Sequence, residues 1–256
     1  MKSVFFLGMV RSGTSFLGRT LTVNSEDVYI THESDIVWIL YNLYKLKNAP
    51  HEIKAYKWDD FSGTGHTLSE CAAILQNYKN LSPTELFEQV QNELMVKGTV
   101  WQKIKRDKTI YAGDKKPMQQ SDLRIFEWCE KNIIEPKYIH LVRHPRDFLG
   151  STKAFGKTRT LWGDNDADIL KVWTKVQRAV MKIKKQIPDR VITIKYEDVC
   201  ENTIQELNKI YTFLGVPESV YYNGEKIHQP TVYSDDLLDL EWPHGFKKLI
   251  KEFGYE

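Results

Sequence analysis

Five short apolar runs, each ending in charge or glycine and each followed by helical periodicity, constrain this chain more than any other feature. They are "SVFFLG" (3–8), "DVYITHES" (27–34), "TIYAGDKKP" (109–117), "KYIHLVRHP" (137–145) and "RVITIKYEDV" (190–199). Their apolar residues fall on both faces of the pleat, which suits strands with no wet side. The intervening segments, such as "TSFLGRTLTV", "SPTELFEQVQNELMVK" and "ADILKVWTKVQRAVMKIKKQI", repeat apolar residues every three to four positions. This alternation predicts a three-layer α/β fold: a central, mainly parallel sheet of about five strands with helices on both faces. Ser82 followed by Pro83 and Glu85 predicts a capping box, and Pro145 suits the first turn of a helix.

In such sheets ligands bind beyond the carboxyl ends of the strands. Four polar strand ends should therefore converge: the loop after Gly8, "THES", "GDKKP" and "RHPRD". The first, "GMVRSGTSFLG", is P-loop-like, with Gly8 and Gly13 at the spacing of G-x4-G-K-[ST] but Thr14 where lysine stands in nucleotide hydrolases. Its glycines let the backbone wrap an anion, and the N–H groups of Ser12 to Ser15 add to the helix dipole. One helix end contributes only about 0.3–1 kcal/mol toward a surface anion. Hydroxyls and a cation are needed as well, and Ser12, Thr14, Ser15 and Arg11 supply them. A plain strand-to-helix turn with N-capping serines is the competing reading. Arg143 and Ser151, eight residues apart, suit a second anion site separate from the first, with an ordinary ion pair at the strand end as the competing reading of the arginine. Two such sites fit a doubly phosphorylated nucleotide.

The rest of the chain narrows the class. At 256 residues, with no internal repeat, one domain over 1–256 is expected, with a loop-rich lid around 48–80. Lys and Arg number 36 against 34 Asp and Glu, so nothing global draws the protein to nucleic acid or anionic membranes. Cys71, Cys129 and Cys200 make no C-x2-C pair and read as reduced thiols. No window approaches the length of a membrane span, and a soluble cytoplasmic protein is expected. No metal constellation is evident.

With both anion motifs in place, the chain resembles the sulfotransferases that use 3′-phosphoadenosine 5′-phosphosulfate, and is closer to their bacterial and tyrosylprotein-type members than to the cytosolic aryl and steroid enzymes. "RSGTS" is similar to the family's 5′-phosphosulfate loop, and "LVRHPRDFLGS" to its 3′-phosphate motif. "KYEDV", "FLGVP" and "FGYE" are softer matches. The resemblance implies that Arg11, Ser12, Gly13, Thr14 and Ser15 hold the phosphosulfate and that Arg143 and Ser151 hold the 3′-phosphate. It also implies that an acceptor hydroxyl or amine attacks sulfur in line, that adenosine 3′,5′-bisphosphate leaves, and that no metal is required.

The catalytic candidates are Glu33, Lys115, Arg11 and His32. "GDKKP" is similar to the G-D-K-T-P of bacterial members, which puts Lys115 at the family's lysine and leaves its neighbour Lys116 as an open choice. If His32 and Glu33 continue their strand, they point to opposite faces and only one enters the site. Glu33 is the expected base, since the lysine-threonine-histidine motif of the aryl enzymes is absent; it could instead serve only as a helix-start charge. Lys226 in "NGEKIHQP" is the expected adenine contact. Tyr56, Trp58, Phe61, His66, Phe155, Lys157, Arg159 and Trp162 suit a small-molecule, carbohydrate or lipid-headgroup acceptor. Two other readings stay open: an ATP-dependent small-molecule kinase in which Asp114 holds Mg²⁺, and a nucleotide-binding module without chemistry.

Overall fold

The computed structural model describes residues 1–48, 53, 81–97, 108–155, 162–163, 165–218 and 242–255. All five apolar runs are strands: β1 (Lys2–Gly8), β2 (Val28–His32), β3 (Tyr111–Lys115), β4 (Lys137–Val142) and β5 (Val191–Lys195). They form one sheet in the order β2-β3-β1-β4-β5, and every neighbouring pair is parallel.

The α-helices among the described residues are α1 (Thr14–Asn24), α2 (Ile36–Tyr41), α3 (Pro83–Lys97), α4 (Pro117–Gln120), α5 (Leu123–Asn132), α6 (Pro145–Phe155), α7 (Asp166–Gln186), α8 (Tyr196–Glu201), α9 (Thr203–Leu214) and α10 (Phe246–Glu252). The capping box at α3 forms as expected: the Ser82 N–H donates to Glu85 Oε2 at 2.7 Å and the Glu85 N–H to Ser82 Oγ at 3.3 Å. After α2 the helix widens into a π-helical turn at Asn42–Leu46.

Alternation along β1 divides the core. Phe5 and Leu7 pack with Phe87, Phe126 and Val180 from α3, α5 and α7. Val4 and Phe6 pack on the opposite face with Leu17, Leu21, Leu207 and Ile210 from α1 and α9. A third cluster joins Val142 to Trp173 of α7, Phe148 of α6, and Phe246 and Phe253 at α10.

The short helix α4 was not anticipated, and it serves the edge of β1. Pairing of β1 with β3 stops at Phe5 opposite Asp114, so the Phe6 and Gly8 amides lack a strand partner on that side. Gln120 Oε1 accepts from the first and Ser121 Oγ from the second, both at 2.9 Å. The β1 end that leads into the glycine loop is thereby held by two side chains.

Candidate active site

The loop after β1 is strained in the way an anion cradle requires. Arg11 at φ 66 and Gly13 at φ 89 are left-handed, and no side chain caps the first turn of α1. N-capping serines are thus not what this turn is built for. Gly13 cannot be anything larger, because a Cβ there would stand 2.3 Å from the Tyr196 ring. Ser12 is fully buried, and its hydroxyl has no hydrogen-bond partner. A buried hydroxyl without a partner is costly, and an oxyanion in the cradle would satisfy it. Thr14 is buried, while Ser15 is exposed at the helix start.

The two anion motifs, expected to be separate, share a wall. Arg11 donates from Nε to Ser151 Oγ at 3.3 Å and lies over the Phe155 ring, its Cζ 4.4 Å from the centroid. Arg143 donates from Nη1 to the Arg11 carbonyl at 3.2 Å and stacks on Tyr196 at 4.4 Å. Its Nε is buried with no partner. Burial and then the nearby Arg143 charge lower the Arg11 pKa. Two guanidiniums held this close, with no carboxylate bonded to either among the described residues, form a site that an anion would stabilise.

A third corner forms where β2 and β3 end. The strand stops at His32, and Glu33 and Asp35 turn left-handed at φ 54 and φ 57. The alternation rule therefore does not carry past His32: Glu33 turns onto Lys115, while of the two only His32 lines the cavity beside that lysine. Glu33 Oε1 accepts from Lys115 Nζ, and Asp35 Oδ1 accepts from Lys116 Nζ at 2.6 Å. The two lysines are thus separated in role. Lys116 is tied into the turn, while Lys115 also lines a cavity of about 230 Å³ with His32, Ser15 and Arg19. Left-handed non-glycine residues cost about 1–3 kcal/mol each.

The electrostatics assign protonation states. Burial pulls the Glu33 pKa up, but the Lys115 charge and the His32 field outweigh it, so Glu33 lies below its ordinary value and is ionised at neutral pH. His32 is pushed down to about 4 by burial and then by Lys115, and is therefore neutral.

Asp114 lies on the opposite face of β3 and is fully buried. Its Oδ1 accepts from the Ser34 amide at 2.9 Å and the Thr31 hydroxyl at 3.2 Å, and its Oδ2 accepts from Gln120 Nε2 at 3.2 Å. These bonds make it a clasp between β2, β3 and α4. Among the described residues, no group of three His, Cys, Asp or Glu could hold a metal ion.

Tyr196, Glu197 and Tyr255 fall in the matches "KYEDV" and "FGYE", from which no site role was expected. Tyr196 packs beneath both Gly13 and Arg143, and the carboxylate of Glu197 accepts from the His144 amide at 2.9 Å and the Tyr255 hydroxyl at 2.8 Å. The available signal was position: Tyr196 follows directly on β5, where strand-end residues converge. Phe155, expected as an acceptor-side aromatic, is a platform for Arg11, and Trp162 is buried against Phe148. Lys226, Tyr56, Trp58, Phe61, His66, Lys157, Arg159, Cys71 and nearly all of the 48–80 segment lie outside the described residues.

The family model described as "Sulfotransferase family" matches residues 3–219. The chain belongs to the sulfotransferase family. It is accordingly an enzyme that transfers sulfuryl groups, which sets aside the kinase and the module without chemistry. Solved sulfotransferases share the fold. The sulfotransferase domain from the curacin biosynthetic pathway is 18% identical with a TM-score of 0.67, over 100% of this chain and 99% of that one. The sulfotransferase domain from the Synechococcus PCC 7002 olefin synthase is 19% identical with a TM-score of 0.63, over 100% and 95%. A sulfotransferase from Alicyclobacillus acidocaldarius is 15% identical with a TM-score of 0.52, over 99% and 91%. No curated protein matches the chain. No helix among the described residues of this sulfotransferase is long and apolar enough to cross a membrane.

Proposed function

We propose that this sulfotransferase moves a sulfuryl group from 3′-phosphoadenosine 5′-phosphosulfate to a hydroxyl or amine of a small-molecule, carbohydrate or lipid-headgroup acceptor, and releases adenosine 3′,5′-bisphosphate. One observation carries the reading: Ser12 Oγ and Arg143 Nε are buried without partners, Ser12 next to Arg11 in the loop and Arg143 bonded to the Arg11 carbonyl, while the Arg11 side chain reaches Ser151. That arrangement asks for two anionic groups on one ligand.

The residues present fit the donor. Arg11 and the Ser12 to Ser15 loop would hold the 5′-phosphosulfate, and Arg143 with Ser151 the 3′-phosphate. When bound, the donor supplies an activated sulfuryl group on a phosphate leaving group. Lys115 places a buried positive charge beside the cavity, where it would offset negative charge on the departing oxygen. Glu33, kept ionised by Lys115, is the base that takes the acceptor proton, and neutral His32 lies at the same corner as its competitor. Asp114 already accepts three hydrogen bonds, which supports a reaction without a metal held there. We read residues 1–256 as one domain acting in the cytoplasm.

The test is transfer from radiolabelled donor to a panel of phenols, sugars and phospholipid headgroups. Glu33→Ala should lower kcat about 10²–10⁴-fold, with His32→Ala nearer to wild type. The reverse ranking would make His32 the base.

A further inference from the structure

The turn after α10 reaches back to the Arg143 loop. Phe253 closes the last turn of the helix, and Gly254, at φ 67, lets the chain reverse. The Tyr255 amide then donates to the Ile250 carbonyl at 3.1 Å and the Gly254 amide to the Lys251 carbonyl at 3.0 Å, the paired bonds of a Schellman ending. A Cβ at 254 would combine a strained φ with a 3.2 Å approach to Lys195 Nζ. That ammonium instead donates to the Gly254 carbonyl at 2.9 Å and lies 5.0 Å from the centre of the Tyr255 ring.

Tyr255 is thereby aimed at one carboxylate. Its hydroxyl donates to Glu197 Oε2 at 2.8 Å, and the other oxygen, Oε1, accepts the His144 amide at 2.9 Å. The His144 and Tyr255 rings meet edge-on, with centroids 5.0 Å apart and planes at 90°. Burial and then the Glu197 charge push the phenol pKa far up, so the hydroxyl remains a donor. His144 follows Arg143 directly, and its carbonyl accepts the first bond of α6 from Phe148 at 2.9 Å. Glu197 therefore holds the one residue between the Arg143 guanidinium and the helix that carries Ser151.

Anchoring α10 does not need this hydroxyl. Phe246, Leu249, Ile250 and Phe253 already bury the helix against Trp173 and its neighbours. We infer that Tyr255 is a positioning residue for the 3′-phosphate site, fixing the His144 amide through Glu197 and so setting where the Arg143 guanidinium stands. This inference rests on the bisphosphate reading above.

The experiment is calorimetry of wild type, Tyr255→Phe, Glu197→Gln and the double variant with adenosine 3′,5′-bisphosphate and with adenosine 5′-monophosphate. Tyr255→Phe should raise the bisphosphate Kd about tenfold, the loss of one hydrogen bond to a charged group, while the monophosphate Kd moves less than about twofold. The double variant should bind no worse than Glu197→Gln. Equal losses on both ligands, no loss on either, or fully additive losses in the double variant would overturn the role. Wild type that fails to prefer bisphosphate over monophosphate would sink the nucleotide reading itself, a result read before any variant is made.

Discussion

Arg11 Nε donates to the Ser151 hydroxyl at 3.3 Å across 140 residues of sequence, joining the glycine loop to the helix after β4. A lysine at position 11 would keep the charge but lose the fork geometry and the stack on Phe155. Arg11→Lys should weaken adenosine 3′,5′-bisphosphate about ten- to a hundredfold, the range for losing a charged hydrogen bond. Ser151→Ala should cost less, and the double variant should lose clearly less than the sum of the two. Additive losses by calorimetry would mean that the two side chains act on the ligand independently.

Gly13→Ala should be far more damaging than Gly215→Ala. Both glycines are left-handed, at φ 89 and φ 76, but only the first has a neighbour in the way: the Tyr196 ring, against nothing within 4 Å at Gly215. The difference isolates the steric term. Gly13→Ala should displace Tyr196 from Arg143 and abolish measurable bisphosphate binding, whereas Gly215→Ala should bind normally with a slightly lower Tm. Similar binding in the two variants would show that Tyr196 gives way freely.

Asp114→Asn separates a clasp from a metal ligand. The side-chain amide would present a donor to groups that already donate, so folding stability should fall by about 1–3 kcal/mol. Surviving folded enzyme should keep its kcat, with no dependence on added Mg²⁺. A collapse of activity at unchanged stability would return Asp114 to a catalytic role.

Stability should fall with acid in a defined window. Burial lowers His32 from 6.5 to about 4 and His140 from 6.5 to about 3, so between those limits the unfolded chain binds protons that the folded one refuses. Their contribution is full above pH 6.5 and is lost as pH falls. Asp114, raised from 3.8 to about 6, works the other way: the folded state takes up its proton first, and stability declines as pH rises through 6. Two histidines against one carboxyl leave a net loss of stability from about pH 6.5 down to pH 4. Thermal melts across that range check it, and His140→Gln should flatten the slope. A Tm that rises on acidification would reverse the balance assigned to these groups.

Much of this architecture was legible from the chain because its signals are local. The five strands declare themselves by apolar runs, the helices by periodicity, and α3 by Ser82 and Glu85. Arg11, Arg143 and Ser151 could be named from loop and spacing. Their meeting could not, since Arg11 reaches Ser151 only after β1 and β4 pair side by side. Strand alternation could not place Glu33, because it ends where the backbone turns left-handed, and the residues of that turn bond to lysines 82 and 81 residues away. Tyr196 and Tyr255 lie in the softer matches "KYEDV" and "FGYE", which name no role for them; they matter through what folding places above them.

Calorimetric titration of the wild-type protein with adenosine 3′,5′-bisphosphate in the presence of EDTA decides whether the protein holds a metal-independent bisphosphate site. Saturable one-to-one binding at micromolar concentration, tighter than that of ATP, is the predicted result. An absence of binding at high micromolar bisphosphate, with tight binding of ATP once Mg²⁺ is restored, would contradict it.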